Sequence, residues 1–407
     1  MRIVIVGGHL SPALAVIDAL SKDTKILFIG RKHTFEGDPG YSLEYNTIKS
    51  LKIPFASIAT GRLQRKFTRH TIPSLFKIPY GFMQAFSILY RFKPDVALSF
   101  GGYVSLPVVL AAYLVRIPIV IHEQTLKAGL ANRVLSYFAT KVCVSYETSK
   151  PYFPKHKTIL TGNPIRKFQI QNSKLQINSK FKIPNEHLPI IYITGGSAGS
   201  HFINTLIEKC IRQLLEKFVV IHQTGDSKEH KDFDRFSNLK NLLPTKLKNR
   251  YILKKFVDYK ELGKVFKKST LVISRAGINT VFELIYFGKP GILIPIPFSQ
   301  NNEQLTNALF FKKLGLGEVL EQKFINENLL LQKIEEMVNN IERYIKNREK
   351  ASSIIDRSSA DKIVEIVKNV KKDKDKTKKR QRTIFKNIII YFFGVFFDFI
   401  YFKHSVF

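Results

Sequence analysis

The feature that most constrains the fold is a strand–glycine turn–helix unit that occurs in each half of the sequence. In the first half, the apolar strand Ile3–Val6 runs into the turn Gly7-Gly8. In the second half, the strand Ile190–Thr194 runs into the turn Gly195-Gly196. Glycine allows a tight turn and a close backbone approach to a ligand, and the positive end of the following helix favours an anion. Two such units predict two Rossmann-like domains with parallel sheets.

The rest of the chain follows an α/β pattern and, at 407 residues, is too long for one ordinary domain. Continuous apolar runs alternate with segments of helical periodicity, which is typical of βαβ units. The predicted strands are Ile3–Val6, Lys25–Ile29, Asp95–Phe100, Pro118–His122 and Thr140–Val144, then Ile190–Thr194, Phe218–Thr224, Tyr251–Lys254, Leu271–Ser274 and Pro290–Pro295. The polar segment Gln169–His187 separates the two sets. We therefore expect two domains, at 1–163 and 164–368, whose sheets face each other across a cleft.

A formal net charge of +33 predicts an anionic partner, either nucleic acid or an anionic membrane surface. The basic residues are spread over both halves without a recognisable nucleic-acid-binding signature, so nucleic acid is the weaker hypothesis. Cys143 and Cys210 are far apart and suggest neither a disulfide framework nor a metal cluster. The sequence opens on a strand instead of a secretory signal, so we expect a cytoplasmic protein.

Two segments fit contact with a membrane surface. Between Gly61 and Phe92, basic residues are interleaved with aromatic and aliphatic ones, although a helix packed on the sheet would show a similar pattern. Residues 369–407 combine the lysine-rich stretch Lys371–Lys379 with the apolar run Ile388–Phe397. This run is shorter than the ~20 residues of a spanning helix, so we expect an interfacial anchor.

Three turns contain residues that could take part in binding or catalysis. His9 follows the first turn, and it either acts as a base or merely caps the loop. In the second, backbone N–H groups and the Ser197 hydroxyl suit a diphosphate, and the absence of G-x-G-x-x-G counts against a dehydrogenase. The third runs through Gly277 into a helix, where Glu283 either accepts ribose hydroxyls or completes a capping box with Thr280.

Two polar segments complete the set of candidate site residues. His122-Glu123-Gln124-Thr125 follows a buried strand, and Gly162–Arg166 lies at the junction of the two halves. Arg166 either pairs with phosphate oxygens or is a surface residue of the linker.

Taken together, these segments resemble the MurG family, the membrane-associated GlcNAc transferases of peptidoglycan synthesis, which have the GT-B architecture. The matching segments occur in the family's order and spacing over residues 1–368: Gly7–Val16, Gly101–Pro107, His122–Gln124, Ala128–Asn132, Gly162–Arg166, Gly195–Gly199, Arg275–Glu283 and Gln304–Ala308. Eight segments in order make the resemblance specific.

The resemblance implies an inverting transfer of GlcNAc from UDP-GlcNAc to the 4-hydroxyl of undecaprenyl-pyrophosphoryl-MurNAc-pentapeptide, at the cytoplasmic face of the cell membrane. It implies no metal and no other cofactor, a role in cell division and cell shape, and other cell-wall synthesis proteins as candidate partners. The final helix, about 340–368, would pack back on the N-terminal domain.

The resemblance also distributes roles among the residues. The C-terminal domain would bind UDP-GlcNAc through Arg166, Ser197, Val257, Ile278, Asn279, Thr280, Glu283 and Gln304. The acceptor and diphosphate turns would contain Gly7, Gly8, Gly101, Gly102, Tyr103, Thr125, Asn132, Gly195 and Gly196. An inverting displacement needs a base, for which His9 is the first candidate at neutral pH and Glu123 is the rival. A helix N-terminus can stabilise the departing diphosphate without a metal.

The chain departs from the family at three places. The first turn is shorter than the family's G-G-T-G-G-H, Thr125 replaces an asparagine, and Ala198 replaces a glutamine. The alternatives are therefore a related enzyme with another lipid acceptor, such as a glycosyldiacylglycerol synthase, or a sugar-nucleotide epimerase of the same fold. A third alternative, from a different class, is a catalytically silent basic protein that binds membranes or nucleic acid.

Overall fold

The computed structural model describes residues 1–33, 41–59, 71–126, 128–166, 187–196, 199–227, 229–257, 259–299 and 302–372. Within them, the N-terminal half forms a seven-stranded parallel sheet of order β3-β2-β1-β4-β5-β6-β7. Its strands are β1 (Arg2–Val6), β2 (Lys25–Gly30), β3 (Phe55–Ser57), β4 (Val96–Ser99), β5 (Ile119–Glu123), β6 (Lys141–Val144) and β7 (Thr158–Leu160). Its helices are α1 (Leu10–Ala19), α2 (Leu43–Ser50), α3 (Thr71–Phe92), α4 (Ser105–Leu114) and α5 (Leu130–Leu135).

The C-terminal half forms a parallel sheet of order β10-β9-β8-β11-β12-β13. Its strands are β8 (Ile190–Thr194), β9 (Val219–Gln223), β10 (Tyr251–Lys254), β11 (Leu271–Ser274), β12 (Gly291–Leu293) and β13 (Gly317–Val319). The helices are α6 (His201–Lys217), α7 (Asp232–Asn241), α8 (Thr245–Arg250), α9 (Tyr259–Lys268), α10 (Ile278–Phe287), α11 (Glu303–Lys313), α12 (Glu327–Asn339), α13 (Ile341–Ile345), α14 (Arg348–Ser352) and α15 (Ser359–Lys372).

The predicted α/β class with two Rossmann-like parallel sheets is confirmed. In each sheet the first strand, β1 or β8, lies in the interior, and the strand order reverses beside it. A crevice opens at the carboxyl ends of the strands at such a point, which is where open α/β sheets bind ligands. The sequence pattern did not predict β3, β7 and β13, because an edge strand of three residues is too short to show a periodicity.

The last helix, α15, leaves the C-terminal half and packs on the N-terminal sheet. Its apolar positions recur at helical spacing, so that Ile363 and Val367 lie in one buried cluster with Ile5 and Leu14. The return begins at Ser359, later than the expected position near residue 340, because α13 and α14 still pack on the C-terminal half. The chain therefore crosses between the halves twice, which fixes them to each other.

Of the two expected membrane segments, residues 61–70 of the first and 373–407 of the second lie outside the described residues, and the rest of the first forms α3. In the part of the chain that is described, no helix is both long and apolar enough to cross a bilayer.

Candidate active site

The two glycine turns of the N-terminal sheet touch each other. Gly101 and Gly102 have φ of +80° and +77°, a region that favours glycine. A Cβ atom on Gly8 would lie 2.2 Å from the Gly101 carbonyl oxygen, so a side chain there would force the turns apart. The turns after β1 and β4 therefore form one surface at the carboxyl edge of the sheet, with His9 and Tyr103 beside it.

His9 precedes helix α1 at its N-cap position, but its side chain makes no capping hydrogen bond. The interpretation that it only caps the loop therefore lacks support in the geometry. Desolvation, together with the smaller effect of the positive charge of Arg31, lowers the pKa of the half-buried imidazole to about 4. His9 is neutral at pH 7, which is the form that accepts a proton.

Arg31 and Glu44 join this turn, and the sequence pattern did not identify either of them. The Glu44 carboxylate accepts hydrogen bonds from the backbone N–H groups of Arg31, at 2.8 Å, and Gly8. The Arg31 guanidinium donates to the Tyr103 hydroxyl at 3.0 Å and lies 5.1 Å from the centre of that ring. Arg31 follows β2 directly, so its place at the carboxyl edge of a strand was the signal that could have found it.

Glu123 organises the loop that follows β5. One carboxylate oxygen accepts from the Thr125 N–H at 2.9 Å and the Thr125 hydroxyl at 2.6 Å. The other accepts from the Gly129 N–H at 2.9 Å and the Asn132 amide at 3.1 Å. Four hydrogen bonds hold this buried carboxylate in one orientation. This arrangement favours a structural role for Glu123 over that of a base, and Thr125 in the loop and Asn132 in α5 are both buried beside it.

The turn Gly195-Gly196 of the C-terminal half is called the donor turn here, because the sugar-nucleotide donor is expected to bind beside it. Part of its backbone is left open. Gly196 has φ of +84°, and among the described residues, apart from its chain neighbours, no atom lies within 4 Å of the place where its Cβ would be. A Cβ on Gly195 would lie 2.1 Å from the Ser200 nitrogen, so this turn is closed on one side and open on the other. Helix α6 begins directly after Ser200. Its positive end is a ready site for a diphosphate. Ser197 and Ala198 lie outside the described residues.

Gln223 links the donor turn to Val257. Its side-chain oxygen accepts from the Val257 N–H at 2.9 Å, and its amide nitrogen donates to the Gly196 carbonyl at 3.0 Å and to the Thr194 hydroxyl at 3.1 Å. Gln223 is the last residue of β9, which pairs with β8, so it lies at the carboxyl edge of the sheet. No sequence motif marks this position. The half-buried Val257 is thereby held beside the turn.

The third turn orients α10 towards the other half of the molecule. Gly277 is the N-cap, so Thr280 lies inside the helix and cannot form the capping box with Glu283. Ile278 is buried in the core, whereas Asn279 and Thr280 are half-buried. Burial raises the pKa of Glu283 to about 7, although a hydrogen bond from Ser11 lowers it. That bond, 3.5 Å long, joins α10 to α1 of the N-terminal half.

Arg166 and Gln304 have partners within the protein. Arg166 is buried and donates through Nε and Nη2 to both carboxylate oxygens of Asp18, at 2.5 and 2.9 Å. This bidentate pair ties the junction of the two halves to α1. The Gln304 side-chain oxygen accepts from the Ile296 N–H at 3.1 Å and so holds the loop that follows β12.

Two family models match the chain. The N-terminal domain of glycosyltransferase family 28 matches residues 6–144, and the C-terminal domain of the same family matches residues 190–370. The first range contains β2 to β6 of the N-terminal sheet, and the second contains every strand of the C-terminal sheet.

Curated relatives match over most of the chain. A protein of Clostridium tetani is 32% identical over 90% of this chain and 97% of its own length. One of Legionella pneumophila is 34% identical over 89% of this chain and 93% of its own length. Both are named UDP-N-acetylglucosamine–N-acetylmuramyl-(pentapeptide) pyrophosphoryl-undecaprenol N-acetylglucosamine transferase.

Solved structures share the fold. MurG of Acinetobacter baumannii has a TM-score of 0.60 at 24% identity and covers 91% of this chain and 100% of its own. The UDP-GlcNAc 2-epimerase of Neisseria meningitidis, bound to UDP-GlcNAc, has a TM-score of 0.61 at 15% identity over 91% of this chain and 100% of its own. At these identities the likeness concerns the fold.

Proposed function

This chain belongs to glycosyltransferase family 28, and we propose that it moves GlcNAc from UDP-GlcNAc to the muramyl 4-hydroxyl of undecaprenyl-pyrophosphoryl-MurNAc-pentapeptide. The resemblance to the MurG family is confirmed by relatives that span nearly the whole chain. The observation that carries the reaction is the contact between Ser11 and Glu283, since it brings the His9 turn alongside the helix of the other sheet.

The donor would bind on the C-terminal half. The N-terminus of α6 and the open side of Gly196 suit the diphosphate, because backbone N–H groups and the helix dipole both favour an anion. Asn279, Thr280 and Glu283 lie on the first turns of α10, where they suit the nucleoside, and Val257 suits the uracil. Ser197 would add a hydroxyl, and Gln304 would be next to the sugar.

The acceptor would bind at the turns of Gly8 and Gly102. The 4-hydroxyl oxygen attacks the anomeric carbon of GlcNAc while His9 takes its proton, and the bond to the diphosphate breaks with its electron pair on UDP. The neutral His9 imidazole can accept that proton. The bidentate pair with Asp18 supports Arg166 as a residue that fixes the two halves, more than as a phosphate ligand.

Helix α3 supports a peripheral place at the cytoplasmic face of the membrane. Tyr80, Met83, Phe86 and Tyr90 recur at helical spacing and are exposed, and the rings of Phe86 and Tyr90 stack at 6.4 Å. Aromatic side chains of this kind favour the boundary of the lipid headgroups. Sedimentation with anionic vesicles should fall for a Tyr80→Ser, Tyr90→Ser double variant, and an unchanged bound fraction would contradict this surface.

The experiment that tests the function measures UDP release with UDP-GlcNAc and a defined lipid-linked muramyl-pentapeptide. We expect His9→Ala to lower kcat by about 10²- to 10⁴-fold, with the Kd for UDP-GlcNAc nearly unchanged. His156→Ala, at an exposed histidine, is the matched control. Unchanged turnover in His9→Ala would remove His9 as the base.

The same assay separates the alternatives. Label incorporated into diacylglycerol and not into the muramyl acceptor would favour a glycosyldiacylglycerol synthase. Conversion of UDP-GlcNAc without any acceptor would favour an epimerase. No conversion of the donor with any of these acceptors would favour a silent membrane-binding protein.

A further inference from the structure

Two backbone donors at the first glycine turn are already in use. The Glu44 carboxylate accepts from the N–H groups of Gly8, in the turn, and Arg31, beside it. In an ordinary phosphate turn these N–H groups face the ligand. An anion that enters here therefore has to find its positive partner in a side chain.

The carboxylate fits too closely to be a chance occupant. A Cβ atom on Gly7 would lie 1.9 Å from one Glu44 oxygen, and a Cβ atom on Gly30 would lie 2.5 Å from the other. Both glycines thus leave the space that the carboxylate fills. Desolvation raises the pKa of Glu44, whereas the hydrogen bonds and the charge of Arg31 lower it.

Arg31 provides the positive charge beside this turn. Its half-buried guanidinium stacks 5.1 Å from the Tyr103 ring centre and spends one donor, Nη1, on the Tyr103 hydroxyl. Among the residues that the structure describes, no carboxylate forms an ion pair with this guanidinium. Arg31 is also near enough to His9 to influence its protonation. With one N–H spent on the Tyr103 hydroxyl, the guanidinium retains further N–H donors for an anion, in the fork geometry that suits phosphate.

We propose that Arg31 binds the diphosphate of the lipid-linked acceptor and so holds the acceptor sugar against His9. This inference rests on the proposed function, because it concerns the second substrate of that reaction. The Glu44 carboxylate occupies two backbone donors at this turn and adds no positive charge, so the Arg31 side chain supplies the positive partner for the anion. Tyr103 keeps the guanidinium at the turn and is a positioning residue.

The test compares Arg31→Gln with Lys32→Gln in the full chain. Lys32 is the neighbouring cation, and its ammonium lies over the rings of Tyr41 and Tyr45 instead of the cleft. With saturating UDP in the donor site, calorimetry measures the binding of geranyl diphosphate as the probe. We expect Arg31→Gln to weaken binding about 10- to 100-fold, and Lys32→Gln to change it less than about twofold.

Steady-state kinetics provide the second readout. In Arg31→Gln the KM for the lipid acceptor should rise about 10- to 100-fold, whereas the KM for UDP-GlcNAc should stay within about twofold. Arg31→Lys keeps the charge but not the fork, so it should bind geranyl diphosphate about 3- to 10-fold more weakly than the wild type. Thermal unfolding checks that each variant is folded.

The outcomes separate the two proposals. Equal affinity of the wild type and Arg31→Gln for geranyl diphosphate would overturn the role of Arg31, whatever the activity. Should Arg31→Gln fail to fold, equal affinity of the wild type and Arg31→Lys would overturn it instead. Tight binding that depends on Arg31, without sugar transfer to the muramyl acceptor, would refute the proposed function and leave the anion site standing.

Discussion

Donor binding should depend on pH through Glu283. Burial raises the pKa of this carboxyl from 4.5 to about 7. If the ionised form accepts the ribose hydroxyls, affinity is complete above this pKa and is lost as the pH falls through it. The ionised fraction drops from roughly 90% at pH 8 to roughly 10% at pH 6, so the Kd for UDP-GlcNAc should rise about tenfold.

The same shift has a consequence for stability. A carboxyl with a raised pKa binds its proton more tightly in the folded protein, so ionisation destabilises the fold as the pH rises from 4.5 to 7. The cost is roughly 2–3 kcal/mol after allowance for partial exposure. Glu283→Gln should therefore increase the free energy of unfolding at pH 7 and change it little at pH 4.5.

Calorimetric titration with UDP-GlcNAc at pH 6, 7 and 8, without acceptor, measures the effect. The sugar nucleotide is the better probe than UDP, since its diphosphate lacks the terminal phosphate whose second ionisation lies near pH 6. Glu303→Gln is the control, because desolvation and the nearby Glu123 also raise the pKa of Glu303. A Kd that is flat in the wild type, or a slope that survives in Glu283→Gln, would refute the reasoning.

Three further substitutions test other parts of the structure. Gly196→Ala puts a methyl group on the open side of the donor turn at a φ of +84°, and we expect the KM for UDP-GlcNAc to rise at least about fivefold at a stability cost of about 1–2 kcal/mol. Arg166→Gln breaks the pair with Asp18, so urea denaturation should show that the free energy of unfolding falls by roughly 1–3 kcal/mol. A raised KM for UDP-GlcNAc without that fall would instead support phosphate binding by Arg166. Ile363→Ala removes a fully buried side chain between the last helix and the N-terminal sheet, so the free energy of unfolding should fall by about 2–4 kcal/mol. An unchanged urea midpoint would contradict this packing.

Local patterns in the sequence were sufficient for the two sheets and their glycine turns. A buried parallel strand is a short apolar run, and a turn at its carboxyl end needs glycine, so both leave a trace in consecutive residues. His9 and Glu283 could be named for the same reason, since each follows such a turn at a short distance along the chain.

Contacts between distant residues left no such trace. Arg166 looked like a phosphate ligand, but Asp18, far away in the sequence, accepts from two of its three guanidinium nitrogens. Glu123 looked like a rival base, but it accepts four hydrogen bonds from the loop that follows it and from α5, and those contacts are seen only once the chain is folded. Arg31, Glu44 and Gln223 carry no motif and belong to the site only because β2 and β9 pair beside the first strands.

The sequence by itself determined the class of fold, the family and the two sheet edges at which we propose that the substrates bind, because each depends on the order of residue types in short segments of the chain. Tertiary structure decided which charges face the cleft and which are consumed within the protein. Glu44 shows the reason: it is an ordinary surface-type residue in the sequence, but Gly7 and Gly30 pack on its carboxylate and place it where an anion would bind. A hydrogen-bonding group can serve a substrate only if the fold has not already satisfied it, and that depends on neighbours brought together by folding.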